Sequence, residues 1–113
     1  MSNWIDICPL EDLQPDSGVC ALVEDQQVAI FYMPKDNAVF AVNNYDPFGK
    51  VQVLSRGLLG DIKGEPMVAS PLYKQHFSLL TGQCFEDESV RIPVYAARIE
   101  NNRVAVSLLE ITA

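Results

Sequence analysis

Residues 18–42 read GVCALVEDQQVAIFYMPKDNAVFAV, and three β-rich runs are visible in them. Gly18–Val23 is the first, Gln27–Met33 the second and Ala38–Val42 the third, with Pro34, Lys35, Asp36 and Asn37 supplying a hairpin turn between the last two. This predicts a meander of three strands. The run from Gln27 to Met33 is apolar at successive positions, as suits a strand covered on both faces. Near the other end, Tyr95–Ile99 and Arg103–Leu108 flank Glu100, Asn101 and Asn102. Val104, Val106 and Leu108 alternate with Arg103, Ala105 and Ser107, so one face of this second hairpin is buried. The one helical signal is a single turn at Pro9–Leu13. The predicted class is therefore all-β, a small antiparallel sandwich or barrel.

Between the two hairpins the rhythm breaks. From about residue 43 to residue 86 the chain holds Pro47, Gly49, Gly57, Gly60, Gly64, Pro66, Pro71 and Gly82, and strands there are short, such as Pro66–Ala69 and His76–Leu79. This reads as a loop-rich subregion inserted into a β framework. Loops fixed on a rigid scaffold are where binding sites usually sit. With no internal repeat, low-complexity tract or linker, residues 1–113 are expected to form a single domain.

A chain of 113 residues buries roughly 65% of its unfolded surface, enough for a core without metal or disulfide staples. Its net charge of −7 argues against nucleic acid and anionic membrane as partners, because both require a basic surface, and suggests that a charged partner is basic at the contact. The opening residues, MSNWIDICPLEDL, have neither a basic n-region nor an apolar run of signal-peptide length. No segment approaches the ~18 apolar residues of a membrane span, so the cytoplasm is the expected location. Cys8, Cys20 and Cys84 are odd in number and lack CxxC spacing, which suggests free thiols acting as small buried hydrophobes.

Two segments of the insert carry a family resemblance. Ser70–Gly82, SPLYKQHFSLLTG, keeps the Pro, the Phe and the Thr-Gly turn of the second cluster-binding loop of Rieske iron–sulfur proteins, and Asn44–Gly57, NYDPFGKVQVLSRG, is similar to the first loop. Carried over residue by residue, the ligand positions fall on Asn44 and Asp46 in the first loop and on Ser70 and Tyr73 in the second. A Rieske centre needs two thiolates and two imidazoles, and these four side chains offer neither. From Trp4 to the final hairpin the chain resembles the small subunit of the assimilatory NAD(P)H-dependent nitrite reductases, a group with the Rieske-like fold that commonly lacks the ligands. The resemblance implies a non-catalytic accessory subunit of a cytoplasmic enzyme that reduces nitrite to ammonia. It implies no cofactor on this chain, with FAD, sirohaem and an iron–sulfur cluster on the large subunit, which is the expected partner. No GxGxxG follows a strand here to bind a dinucleotide.

Other readings of the same residues stand beside this one. His76 with Cys84 falls short of the four ligands of structural zinc. Ser70, His76 and a carboxyl such as Asp46 or Asp61 are the parts of a hydrolase, but no Gly-x-Ser-x-Gly elbow is present. Asn44, Asp46, Ser70 and Tyr73 also read as turn formers that brace loops by hydrogen bonds, and Tyr73 and Phe48 as fillers of the volume a cluster would occupy. Neither a catalytic residue nor a metal ligand is assigned. Pro47, Phe48, Pro71 and Leu72 are expected to present apolar groups at the loop tips for docking. The alternative functions are a Rieske-type ferredoxin, which the missing ligands disfavour, and a β interaction module of another oxidoreductase.

Overall fold

Four consecutive residues of the meander, Val28, Ala29, Ile30 and Phe31, are completely buried, and they point alternately into two apolar clusters on opposite sides of one strand. The structure is a computed structural model that describes residues 4–72 and 74–110. Its strands are β1 (Trp4–Pro9), β2 (Ser17–Val23), β3 (Gln26–Met33), β4 (Ala38–Asn43), β5 (Tyr45–Asp46), β6 (Val51–Gln52), β7 (Leu58–Ile62), β8 (Glu65–Ala69), β9 (His76–Ser78), β10 (Val94–Glu100) and β11 (Arg103–Glu110).

Six of them form an antiparallel sheet in the order β1-β11-β10-β4-β3-β2. The sheet curls: Ile5 and Ile7 of edge strand β1 pack into the same cluster as Val19 and Ala21 of the other edge strand, β2, around Val28, Ile30, Val39, Ala41, Tyr95, Val104 and Val106. Two hairpins turn through pairs of residues in the left-handed region, Glu24 and Asp25 (φ 47° and 68°) and Asn101 and Asn102 (φ 54° and 61°), the geometry that matches the twist of adjoining strands. The β3–β4 connection is a 3-10 turn, Pro34–Asp36, ended by Asn37 at φ 48°. The predicted helical turn at Pro9–Leu13 is likewise a 3-10 turn, Leu10–Asp12.

The insert lies between β4 and β10. It contains a three-stranded sheet in the order β7-β8-β9 and the β5–β6 pair. Val68 of β8 and Phe77 of β9, with Leu54, Leu79, Cys84 and Ile92, pack against Ala29, Phe31, Val42 and Val94, the outward faces of β3, β4 and β10. The successive apolar positions of β3 thus serve a strand that forms the wall between the two cores. The turn after β9 closes on Gly82, which sits at φ 80°, and a Cβ there would lie 2.0 Å from the Ile92 carbonyl oxygen, so both conformation and space require glycine.

Four strands were not legible from pattern: the two-residue strands β5 and β6, and the longer β1 and β7. β1 has little alternation and slips register between Asp6 and Cys8 where it pairs with β11. β7 contains Gly60 and Asp61, residues depleted in strands, and is held by its pairing with β8.

Candidate functional site

The loops of the insert begin where β4 ends, and amide side chains fix their roots. Asn43 Nδ2 donates to the Tyr95 hydroxyl (3.1 Å), which donates to Gln26 Oε1 (3.0 Å), while Asn43 Oδ1 accepts from the Tyr45 N–H (3.0 Å). Asn44 is 2% exposed. Its Oδ1 accepts from the Ser55 N–H at 2.7 Å, and its Nδ2 donates to Gln27 Oε1 (3.3 Å) and Cys20 Sγ (3.5 Å). Its carbonyl accepts from the N–H groups of Val53 and Leu54. One buried amide therefore ties the beginning of the first loop to its end and to the sheet below.

Asp46 and Ser70 join the two loops. Asp46 Oδ1 accepts from the N–H groups of Phe48 (2.8 Å) and Gly49 (3.2 Å), which forms the first loop into a turn. Its Oδ2 accepts the hydroxyl of Ser70 from the second loop. Ser70 Oγ accepts from the Leu72 N–H (3.3 Å), and its backbone brackets the second loop through Lys74 and Gln75. Asp46 and Ser70 are buried, and every polar side-chain atom of Asn44, Asp46 and Ser70 is hydrogen-bonded within the protein.

These residues do not fit an iron–sulfur cluster. At three of the positions the resemblance points to, Asn44, Asp46 and Ser70 offer an amide, a carboxyl and a hydroxyl, whereas a Rieske centre takes thiolate and imidazole, and their polar atoms are engaged with other protein groups. Phe48 packs against the apolar core, its ring centroid 6.1 Å from that of the buried Phe77. Tyr73, the fourth position the resemblance points to, lies outside the described residues. Among the described residues no three His, Cys, Asp or Glu side chains are grouped to hold a metal ion.

His76 and Cys84 share a different partner. Glu86 Oε1 accepts from the His76 N–H (2.7 Å), Glu86 Oε2 lies 2.5 Å from His76 Nδ1, and Cys84 Sγ is 3.7 Å from Glu86 Oε1. Burial pushes the Glu86 carboxyl up, but the hydrogen bonds from His76 outweigh it and hold the group below the ordinary glutamate range. Burial raises the thiols of Cys8, Cys20 and Cys84, and Asp12 adds to this at Cys8. Ser70 donates its hydroxyl hydrogen bond to Asp46 while His76 is held by Glu86, so the serine–histidine relay of a hydrolase is not assembled. Cys84 is the buried hydrophobe expected. Cys20 is instead exposed, because it lies on edge strand β2. The bracing roles of Gln26, Gln27, Ser55 and Glu86 were missed. A visible signal existed for two of them, the consecutive amides Gln26-Gln27 and Asn43-Asn44, which the β3–β4 ladder, ending at the Val28–Asn43 pair, brings to the same end of the two strands.

At the tips, Leu72 is 48% exposed and Pro71 is exposed, whereas Pro47 and Phe48 are half-buried. Phe48 thus acts as a filler against the core and offers little surface.

The profile of the Rieske-like 2Fe–2S domain family matches residues 3–107. The chain is 50% identical over 104 residues to the nitrite reductase (NADH) small subunit of Escherichia coli K12, covering 92% of this chain and 96% of that one. The solution NMR structure of the E. coli protein NirD superposes with a TM-score of 0.84 at 49% identity, covering 94% of this chain and 96% of that one. A 110-residue segment is also 36% identical to part of the Klebsiella oxytoca nitrite reductase NAD(P)H large subunit, spanning 97% of this chain but 11% of that protein.

Proposed function

The chain belongs to the nitrite reductase (NADH) small-subunit family, within the Rieske-like domains, and from that premise we propose that it is a non-catalytic accessory subunit of an assimilatory NADH-dependent nitrite reductase. The large subunit is its partner and carries FAD, sirohaem and an iron–sulfur cluster, with nitrite reduced to ammonia there; the complex works in the cytoplasm. Among the described residues no helix is long and apolar enough to cross a membrane.

The observation that carries this reading is the buried Asp46–Ser70 link. Asn44, Asp46 and Ser70 take the positions at which a Rieske domain binds its cluster, and here they knit the loops with hydrogen bonds between protein groups. An electron carrier needs those positions for thiolate and imidazole. A subunit whose role is structural needs only the shape. The Klebsiella large subunit, which contains a segment similar to almost this whole chain, supports direct association of small- and large-type sequences.

The test is affinity purification of the tagged chain from cells grown on nitrite. A flavin- and sirohaem-containing protein is expected to co-purify with it, and an extract lacking the small chain should lose NADH-dependent nitrite reduction that the purified chain restores. Recovery of no redox partner overturns the proposal.

A further inference from the structure

The chain's acidity is distributed unevenly. Of fifteen acidic residues, nine lie outside residues 43–93, where only three of the eight basic residues are found; the insert holds Lys50, Arg56, Lys63, Lys74 and Arg91. At the two tips the contrast is sharper. Residues 47–51 read PFGKV and residues 71–75 read PLYKQ, with a lysine in each and no carboxyl. The carboxyl that precedes the first tip, Asp46, is buried and engaged with Ser70.

Geometry brings these tips into one surface. A Cβ placed on Gly49 would lie 2.6 Å from Leu72 Cδ1 and 3.5 Å from Val51 Cγ1, so the apolar side chains of the two loops meet over that glycine. Val51 is 40% exposed, Leu72 48% and neighbouring Tyr45 40%. Lys50 and Lys74 are both exposed and both in the left-handed region, at φ 57° and 62°. Their N–H groups bond back to the carbonyls of Asp46 (2.7 Å) and Ser70 (3.1 Å), which places one lysine at the corner of each tip.

The ends of the chain leave from the same end of the sheet. Trp4 pairs with Ser107, Glu110 with Tyr95, and Val94 with Val42, one residue before β4 ends and two before Asn44 opens the first loop. A similar segment makes up 11% of the Klebsiella polypeptide; folded as this chain is, it would be tethered to the remainder at the end that bears the loops.

We propose that the paired loop tips form an apolar docking surface flanked by lysines, built from Tyr45, Val51, Pro71, Leu72, Lys50 and Lys74, and that it seats on an apolar patch rimmed by carboxylates on the large subunit. This rests on the small-subunit reading and adds the sign of the contact, which is opposite to the one that the net charge of −7 suggests. Exposed apolar side chains with a polar rim are the usual anatomy of an interface, and charges at the rim act mainly on encounter and its salt dependence. Two lysines are too few to hold nucleic acid or an anionic membrane by counterion release.

The test measures binding of the purified small chain to its cognate large subunit at low and moderate salt, with parent, Leu72→Asp, the double change Lys50→Glu with Lys74→Glu, and Lys35→Glu at the far end of the sheet as control. All four sites are exposed, and circular dichroism confirms folding. Leu72→Asp is expected to weaken binding by about a hundredfold or more and the double reversal by about tenfold, with loss of the salt dependence, while Lys35→Glu binds as the parent does. Parent-like binding and salt dependence in the double reversal overturn the proposed charge pairing, as does lysine-dependent capture by phosphatidylserine vesicles with large-subunit binding unchanged. No binding of the parent at any salt is a different outcome: it removes the small-subunit reading and this surface with it.

Discussion

The two faces of β3 are held to their neighbours by different physics. On the inner face Val28 and Ile30 join a cluster closed by the curl of the six-stranded sheet, an apolar interior in which hydrophobic residues of similar volume are interchangeable at modest cost. On the outer face Ala29 and Phe31 support an insert whose apolar layer is overlaid by buried polar residues. Asn44, Asp46, Ser70 and Ser78 lie in that region, against Ser107 alone in the sheet among the described residues. Apolar burial sets a region's place without fixing every atom. A buried hydroxyl or carboxyl must find one particular partner, so the polar overlay fixes the loop shapes residue by residue.

The largest effect is expected at the layer that joins the two regions. Phe77 is completely buried and touches Phe48, so Phe77→Ala should destabilise the protein by about 3–5 kcal/mol. Because β3 is common to both cores, unfolding should remain one transition by near- and far-ultraviolet circular dichroism in urea. An early separate loss of the near-ultraviolet signal would show that the insert melts apart from the sheet.

Next comes the polar overlay. Asp46→Ala leaves the N–H groups of Phe48 and Gly49 and the Ser70 hydroxyl without their acceptor, and should cost about 3 kcal/mol. Ser70→Ala removes the donor to Asp46 and the acceptor of the Leu72 N–H, and should cost about 1–2 kcal/mol. Changes within about 0.5 kcal/mol for both, as at an ordinary surface site, would mean that packing alone shapes the loops and that the two faces of β3 do not differ as described.

This division also explains what could be read from the sequence. The meander and the final hairpin were legible because period-2 alternation and turn residues are local signals, and the doubly covered β3 was visible as an unbroken apolar run. The two loop segments could be picked out by resemblance. That Asp46 bonds Ser70 was not legible, since nothing local in either loop specifies a partner 24 residues away. Phe48 shows the same limit: as a loop aromatic it suited either a docking tip or a core filler, and only the position of Phe77 decides that it packs inward.

The smallest effect concerns Glu86, on the exposed rim of the insert. Its carboxyl is held below the ordinary range by His76 in spite of some burial. A carboxyl whose pKa is depressed on folding contributes stability that is fully present above its unfolded value and is lost as the pH falls through the folded value. The parent should therefore lose a small part of its stability on acidification below about pH 4.5, a part absent in Glu86→Gln. The pair is exposed, so at neutral pH the substitution should cost less than about 1 kcal/mol. Parallel stability curves for parent and variant through the acid range would show that His76 and Glu86 do not interact in solution.

The two-loop frame of this Rieske-like domain stands on hydrogen bonds between protein groups. Iron and acid-labile sulfide content, with the visible absorption spectrum, measured on protein purified anaerobically from iron-replete cells, test it most directly. A colourless protein with iron far below one atom per chain is the predicted result. Near-stoichiometric iron and sulfide with a visible charge-transfer band would contradict it.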